Sequence, residues 1–225
     1  MPAPHSAALD AGLLQALRLL GNGPRRLLGI VGPPGAGKST LAELVCATLN
    51  TAHAHPLAQL LPMDGFHLAQ SELERLGRAQ RKGAPDTFDA SGYAALLQRL
   101  RQQAPSEVVY APDFRRPLDE PIANALPLWG TTPLVVTEGN YLLLAEDGWA
   151  PVAQWLDEVW YLEVDAAIRL EQLAQRHQRF GRTRQEALDW IASTDEPNAR
   201  RIEATAVRAH RTVLWDAAAG LYRLR

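Results

Sequence analysis

Cysteine is all but missing: Cys46 is the sole one in 225 residues, which excludes an intramolecular disulfide and any multi-cysteine metal centre. A lone cysteine among helix-forming neighbours reads as a packing residue rather than a reactive thiol. No stretch approaches the roughly 18–20 uninterrupted apolar residues of a membrane-spanning helix. Met1–Asp10 has no cationic cluster followed by an apolar core, so no secretory leader is expected. Positive charge is not in excess either. The 23 Lys and Arg against 25 Asp and Glu give a net charge of −2, whereas a general nucleic-acid binder carries a basic stripe or a high pI. Six tryptophans are present, yet none lies in the basic, aromatic cluster that stacks bases. His53 and His55, one residue apart, make no metal site without further ligands. These absences set the expectation of a soluble cytoplasmic protein with no nucleic-acid and no membrane partner. Association with further copies of the chain stays open.

What is present is a regular alternation of apolar runs and helical stripes. Leu9, Leu13, Leu14, Leu17 and Leu20 repeat at helical spacing, and Gly21-Asn22-Gly23-Pro24 stops them. Residues 1–24 therefore read as an appended helix and linker, and 25–225 as one domain. Within that domain, Leu27–Val31, Leu60–Met63, Val108–Tyr110, Leu134–Thr137 and Val159–Val164 read as buried strands, with a last strand inside Thr212–Arg225. Helices are expected after Gly37, over Asp89–Gln103, from Asp165 as N-cap to about Phe180, and from Thr183 to about His210 with an interruption near Pro197. Residues 67–88 are polar, with no sustained apolar period. Strands alternating with helices predict an α/β three-layer sandwich around a mainly parallel sheet. Such sheets bind ligands beyond the carboxyl ends of their strands, where Asp64, Tyr110 and Glu138 are expected to fall.

Gly32-Pro33-Pro34-Gly35-Ala36-Gly37-Lys38-Ser39, followed by Thr40, matches the phosphate-binding loop G-x-x-x-x-G-K-[ST] in full. It follows an apolar strand and opens a helix, as that loop requires. Glycines let backbone N–H groups turn toward phosphate oxygens, and the helix N-terminus adds a favourable dipole. Gly32, Gly35, Ala36, Gly37, Lys38, Ser39 and Thr40 are thus candidate ATP contacts. Lys38 offers a cation to the β- and γ-phosphates, and Ser39 a hydroxyl to Mg2+. Glu138, closing Leu134–Thr137, is the second candidate ligand of Mg2+, or else a turn cap. Asp64 can orient and deprotonate an acceptor hydroxyl; its Asp64-Gly65 pair equally suits a turn.

Met63-Asp64-Gly65-Phe66-His67 resembles the segment after the second strand of the phosphoribulokinase/uridine kinase superfamily, which includes bacterial pantothenate kinase. Arg81-Lys82-Gly83-Ala84-Pro85-Asp86-Thr87-Phe88-Asp89 is similar to a pantothenate kinase segment. Tyr110-Ala111-Pro112-Asp113-Phe114 looks like these kinases' substrate-side strand, and Glu138-Gly139-Asn140-Tyr141-Leu142-Leu143 like their acidic strand end. The likeness runs over about residues 27–210 and is nearest to a branch named nucleoside/nucleotide kinase or fructose transport system kinase. It implies a P-loop NTPase fold with a helical lid, Asp64 as general base, and Arg169 and Arg176 leading into a lid that brings arginine to ATP. Those two arginines stand seven apart and share a helix face. Arg179, Arg182 and Arg184 add cations around Gly181, a natural hinge. Candidate acceptor contacts are His67, Arg81, Lys82 and Tyr110; where the branch usually has an acidic residue before its arginine, this chain departs with Arg115 then Arg116, either of which could bind an acceptor carboxylate or phosphate, Arg116 being the candidate. His177 is read with the apolar helix face of Leu170 and Leu173.

The expectation is a kinase in which Lys38, Asp64 and Arg176 carry catalysis and ATP·Mg2+ phosphorylates a small-molecule hydroxyl: a sugar, a nucleoside or a pantothenate-like alcohol. The rival is a regulatory ATPase switch that uses the same loop without a small acceptor. Asp64 and Arg81–Asp89 favour the kinase, because a switch needs no acceptor base.

Overall fold

A computed structural model describes residues 7–225 apart from 22, 52 and 54. Asn22 of the helix-stopping segment and the first six residues therefore lie outside the described residues.

The order of elements is β1 (Ala8–Leu9), α1 (Ala11–Gly21), β2 (Arg26–Val31), α2 (Lys38–Asn50), β3 (Ala58–Pro62), α3 (Gln70–Arg75), α4 (Ala90–Gln102), β4 (Val108–Arg115), β5 (Glu120–Trp129), β6 (Leu134–Gly139), β7 (Glu158–Glu163), α5 (Ala166–Arg179), α6 (Arg184–Trp190), α7 (Glu196–Glu203), β8 (Arg211–Asp216) and β9 (Leu221–Leu224). The main sheet runs β1-β9-β8-β7-β2-β6-β3. The five strands from β8 to β3 are parallel, and β9 returns antiparallel to β8.

Side chains of a strand alternate between the two sheet faces, and β2 shows what each face meets. Leu27 and Val31 join a cluster with Leu61, Tyr93, Leu97 and Trp149. Leu28 and Ile30 join Leu13 and Leu17 of α1 and Leu41 and Val45 of α2 on the other side. A sheet covered on both faces needs apolar residues at consecutive positions, which is why β2, β6 and β7 are legible as unbroken apolar runs. The helix starts are set locally. Asp165 accepts from the N–H groups of Ala167 and Ile168 at 2.9 and 3.2 Å, Asp89 from Gly92 at 2.8 Å, and Thr183 and Glu186 form a reciprocal capping box.

Several elements differ from the sequence reading. Leu9, grouped there with the first helix, lies in β1, which pairs with β9; α1 begins two residues later. The last strand is a hairpin, β8 and β9. The segment 67–88 holds α3 and short 3-10 turns. The largest difference concerns β4, expected as a strand of the parallel sheet. It pairs antiparallel with β5 as a separate two-stranded ribbon. Its register shifts between Ala111 and Asp113, around Pro112, which has no N–H to donate. Of the ten residues of β5 only Leu128 is buried, so no apolar alternation marks it.

Candidate active site

The loop after β2 packs tightly enough to demand its glycines. Gly35 has φ 80° and Gly37 φ 89°, backbone that favours glycine. A Cβ on Gly35 would lie 2.6 Å from Leu173 Cγ and 2.9 Å from the Arg169 carbonyl, because α5 lies directly against the loop. Lys38 opens α2, is buried, and donates from Nζ to the Pro33 carbonyl at 3.1 Å. Burial pushes its ammonium down to about 8, against the pull of Glu138 and Asp64, and Arg176 and Arg169 push the same way. Phosphate oxygens beside Nζ would oppose that shift.

Strand register brings the acidic groups to the same edge. Glu138 stands opposite Ile30 of β2 and Pro62 of β3, and Asp64 follows two residues past Pro62. Ser39 Oγ donates to Glu138 Oε1 at 2.9 Å, and the carboxylate is 6% exposed. Burial and the nearby Asp64 raise its carboxyl above the ordinary range, while Lys38 and the Ser39 hydroxyl oppose them. A hydroxyl next to a buried carboxylate suits a hard cation that takes its other ligands from phosphate and water. Among the described residues no group of three or more His, Cys, Asp and Glu offers a cation an all-protein site.

Asp64 sits on the 3-10 turn Met63–Phe66. A Cβ on Gly65 would lie 2.4 Å from the Pro112 carbonyl, so the β4 backbone rests directly on this turn. From the ribbon Arg116 approaches Asp64 Oδ2 at 3.2 Å. His67 Nδ1 donates to the Asp64 carbonyl at 2.7 Å, and its ring packs against Phe88 and Phe114 at 4.0 and 4.7 Å between centroids. Lys82 Nζ donates to the Asp119 carbonyl and carboxylate at 2.6 and 2.7 Å, which ties segment 67–88 to the ribbon's turn.

These residues share one cleft of about 1210 Å³. Gly35, Gly37, Lys38, Ser39 and Thr40 line it at one end, with Glu138 and Arg176. Asp64, His67, Lys82 and Arg116 line the other, and Arg179 and Arg182 stand on the α5–α6 side. Gly32 and Ala36 are buried beneath the loop. Arg169 is buried too: it reaches the Pro34 carbonyl at 3.5 Å, bonds Glu196, and does not line the cleft. Seven residues along a helix are about 10 Å, so a shared face does not put both arginines in one place. Arg176, half-buried, lines the cleft and takes part in no hydrogen bond or ion pair among the described residues.

Two residues expected at the acceptor lie elsewhere. Arg81 turns outward to Asp86 at 2.6 Å, and Tyr110, 54% exposed, is on the outer side of the ribbon. Tyr110 follows from the correction to β4: it does not end a parallel strand. Arg115 pairs with Asp113 at 3.1 Å and Arg184 with Glu171 at 3.2 Å, both outside the cleft. His177, read as part of an apolar face, lines the cleft and bonds Asp195 at 2.8 Å. Asp195 ends a π-helical turn, Ile191–Asp195, between α6 and α7. Phe114, Asp119, Asn140, Asp195 and Asn198 are cleft residues the sequence reading missed. Asn140 follows the Glu138 strand end by two residues, and that placement was a usable signal; His177 and Asp195 are eighteen apart and had none. Cys46 is half-buried against the α1–α2 cluster, and burial pushes its thiol up to about 12, as a packing residue should show.

No protein-family model matches the chain. A protein of Schizosaccharomyces pombe provisionally named a uridine kinase is 30% identical over 91% of this chain and 89% of its own. The uncharacterized protein YggC of Escherichia coli is 36% identical over 84% and 78% respectively. The crystal structure of a Silicibacter protein, provisionally named a fructose transport system kinase, superposes with TM-score 0.80 at 36% identity, covering 93% of this chain and all of that one. YFH7 of Saccharomyces cerevisiae shares the fold at TM-score 0.77 and 20% identity over 92% of this chain and 98% of that one. The chain belongs to the uridine kinase-like family of P-loop kinases.

Proposed function

We propose that this protein transfers the γ-phosphoryl group of ATP to the hydroxyl of a small, non-aromatic alcohol in the cytoplasm. The supporting observation is the meeting in one cleft of a complete phosphate loop, with Lys38, Ser39 and Glu138, and the carboxylate of Asp64. Single-ligand pockets span about 300–1,000 Å³, so about 1210 Å³ leaves room for nucleotide and acceptor together. A switch ATPase has no use for the second half.

In this reading the N–H groups of Gly35–Ser39 hold the phosphates, and Lys38 and Arg176 neutralise the transferring group. Asp64 Oδ takes the acceptor proton as the acceptor oxygen attacks phosphorus and ADP departs. Ser39 and Glu138 would hold Mg2+, which supplies charge neutralisation between the phosphates. Such transfers need alignment and electrostatics more than covalent help. Gly181, at φ 94°, joins α5 to α6 and is the hinge on which Arg179 and Arg182 would close, excluding water.

The acceptor half narrows the substrate class. Of its two phenylalanines, Phe88 is packed against His67, Tyr141 and Trp149, and Phe114 carries His67 and Lys82, the latter 5.6 Å from its centroid. Both rings are already engaged by neighbouring side chains, Phe88 buried and Phe114 half-buried. Gln70, Gln80, Lys82, Arg116 and Asn140 supply polar contacts. That favours a sugar-like or pantothenate-like alcohol over a nucleoside. The Silicibacter relative's name mentions fructose and the S. pombe relative's uridine; the polar lining and the engaged rings favour the former. The test is a panel of sugars, nucleosides and pantothenate-like hydroxy acids incubated with ATP and Mg2+, phosphorylated product being read by mass. A nucleoside monophosphate as main product would overturn the acceptor class. ATP hydrolysis stimulated by a macromolecule, with no small acceptor phosphorylated, would overturn the kinase.

A further inference from the structure

Arg116 stands beside Asp64, the group whose charge has to change during transfer. Arg115 ends β4 and turns back to Asp113, whereas Arg116 opens the turn 116–119 and enters the cleft with a guanidinium nitrogen 3.2 Å from Asp64 Oδ2. Its charge is felt past Asp64. It helps hold the Glu138 carboxyl down and disfavours charge on Arg176, so it shares a neighbourhood with both. Lys38 reaches that neighbourhood from the phosphate loop and Arg176 from α5; Arg116 arrives from a third side, the ribbon. The ribbon is fixed in place there. Its backbone lies on Gly65, Lys82 grips Asp119 at its turn, and the Gln70 N–H donates to Glu120 at 3.0 Å. The Arg116 side chain itself is 48% exposed, so it can swing while its base stays put.

We propose that Arg116 is a catalytic residue handed from the base to the product: it holds the Asp64 carboxylate before transfer and takes the transferred phosphoryl group during it. The proposal rests on the reading of Asp64 as general base. In the step, the acceptor oxygen forms a bond to the γ-phosphorus, and the bond from that phosphorus to the β–γ bridging oxygen breaks. The electron pair leaves with ADP, and the acceptor proton passes to Asp64. Asp64 goes from −1 to neutral, so its attraction for Arg116 disappears while a phosphate dianion forms on the oxygen beside it. Two hydrogen-bond lengths, about 6 Å, separate the guanidinium from that oxygen. A planar fork of donors fits phosphate oxygens two at a time, which a lysine in its place does not.

Trapping ADP·Mg2+ with aluminium fluoride mimics the transferring phosphoryl group and needs no acceptor. Arg116→Ala is expected to bind ADP within about twofold of wild type but to lose tenfold or more in affinity for ADP·Mg2+·aluminium fluoride; millimolar guanidine should restore part of it. Arg116→Lys, the variant closest to native in charge, should fall between. Asp64→Asn, which removes the resting partner, should trap the complex at least as tightly as wild type. Equal trapping by wild type, Arg116→Ala and Arg116→Lys would overturn the handover and leave Arg116 a partner of Asp64 alone. So would equal losses for ADP and the trapped complex. The base reading fails separately: phosphoryl transfer at wild-type rate by Asp64→Asn would remove it, and the handover with it, whatever the trapping shows.

Discussion

The Ser39 hydroxyl donates to Glu138 Oε1 across 2.9 Å, joining the phosphate loop to the end of a strand ninety-nine positions further along the chain. The pair exists because β2 and β6 are adjacent and parallel, so their carboxyl ends coincide. Glu138→Gln keeps an oxygen for the hydroxyl and loses the charge. The expected outcome is a rise of about ten- to a hundredfold in the Mg2+ concentration for half-maximal activity, with unchanged or slightly raised melting temperature, since a buried carboxylate has been neutralised. A magnesium titration on the folded variant checks it; superimposable curves would return Glu138 to a structural role.

Lys38 has the converse balance. Its ammonium is buried, pushed down to about 8, and its one hydrogen-bond partner among the described residues is the Pro33 carbonyl. The residue is therefore costly to the fold, which fits the proposed role of a charge near phosphate. Lys38→Ala should lower turnover by a factor of about 10²–10³ or more while leaving thermal stability equal or higher. ATP turnover near wild type in a folded Lys38→Ala protein would remove this loop from the phosphate site.

His67 supplies a pH dependence with a definite sign. Burial lowers its imidazole below the ordinary value, against the pull of Asp64 and Asp119 and with the push of Lys82. The unfolded chain takes up this proton first as pH falls. The stabilisation from neutral His67 is thus fully present above about 6.5 and is lost as pH drops toward the lowered folded value. Denaturation midpoints at pH 7 and pH 5.5 should fall more steeply for wild type than for His67→Gln, which can still donate to the Asp64 carbonyl. Parallel behaviour of the two proteins would show that His67 titrates alike folded and unfolded.

Legibility tracked how local the cause was. Gly32–Ser39 is written in consecutive residues, and Glu138 ends a run made uniformly apolar by burial on both sheet faces, so both were readable. The ribbon was not: Pro121, Pro127 and ten residues with one buried side chain give β5 no period, and without β5 the strand containing Tyr110 passes for one of the parallel set. Arg81 and Lys82 are adjacent in an irregular segment, and nothing local decides that Lys82 turns to Asp119 in the cleft while Arg81 turns out to Asp86. Arg169 and Arg176 share a face, but the loop lies against α5 at Arg169 and Leu173, which buries Arg169 and leaves Arg176, further along, facing the cleft. Pairings such as His177 with Asp195 depend on how α5 meets the π-helical turn and leave no trace in sequence spacing.

Asp64 separates a kinase from a switch most sharply. The carboxylate is two residues beyond Pro62, which stands opposite Glu138, and Arg116 contacts one of its oxygens at 3.2 Å. Asp64→Asn preserves shape and removes the base. General-base catalysis contributes about 10²–10⁴-fold, roughly 3–5 kcal/mol of barrier; that loss is expected in phosphoryl transfer to a true acceptor. ATP affinity should stay within a few-fold, because in the proposed mechanism the phosphates rest on the loop at Gly35–Ser39 and on Arg176. A carboxylate serving the fold alone gives the opposite pattern, a lower melting temperature with near-normal turnover in the protein that stays folded. One that holds the cation through water gives a loss that excess Mg2+ partly repairs. Transfer rate, ATP binding and melting temperature measured side by side, with and without added Mg2+, tell the three apart. Turnover within about threefold of wild type would take Asp64 out of the mechanism, since no base worth 10²-fold or more can be removed at so small a cost.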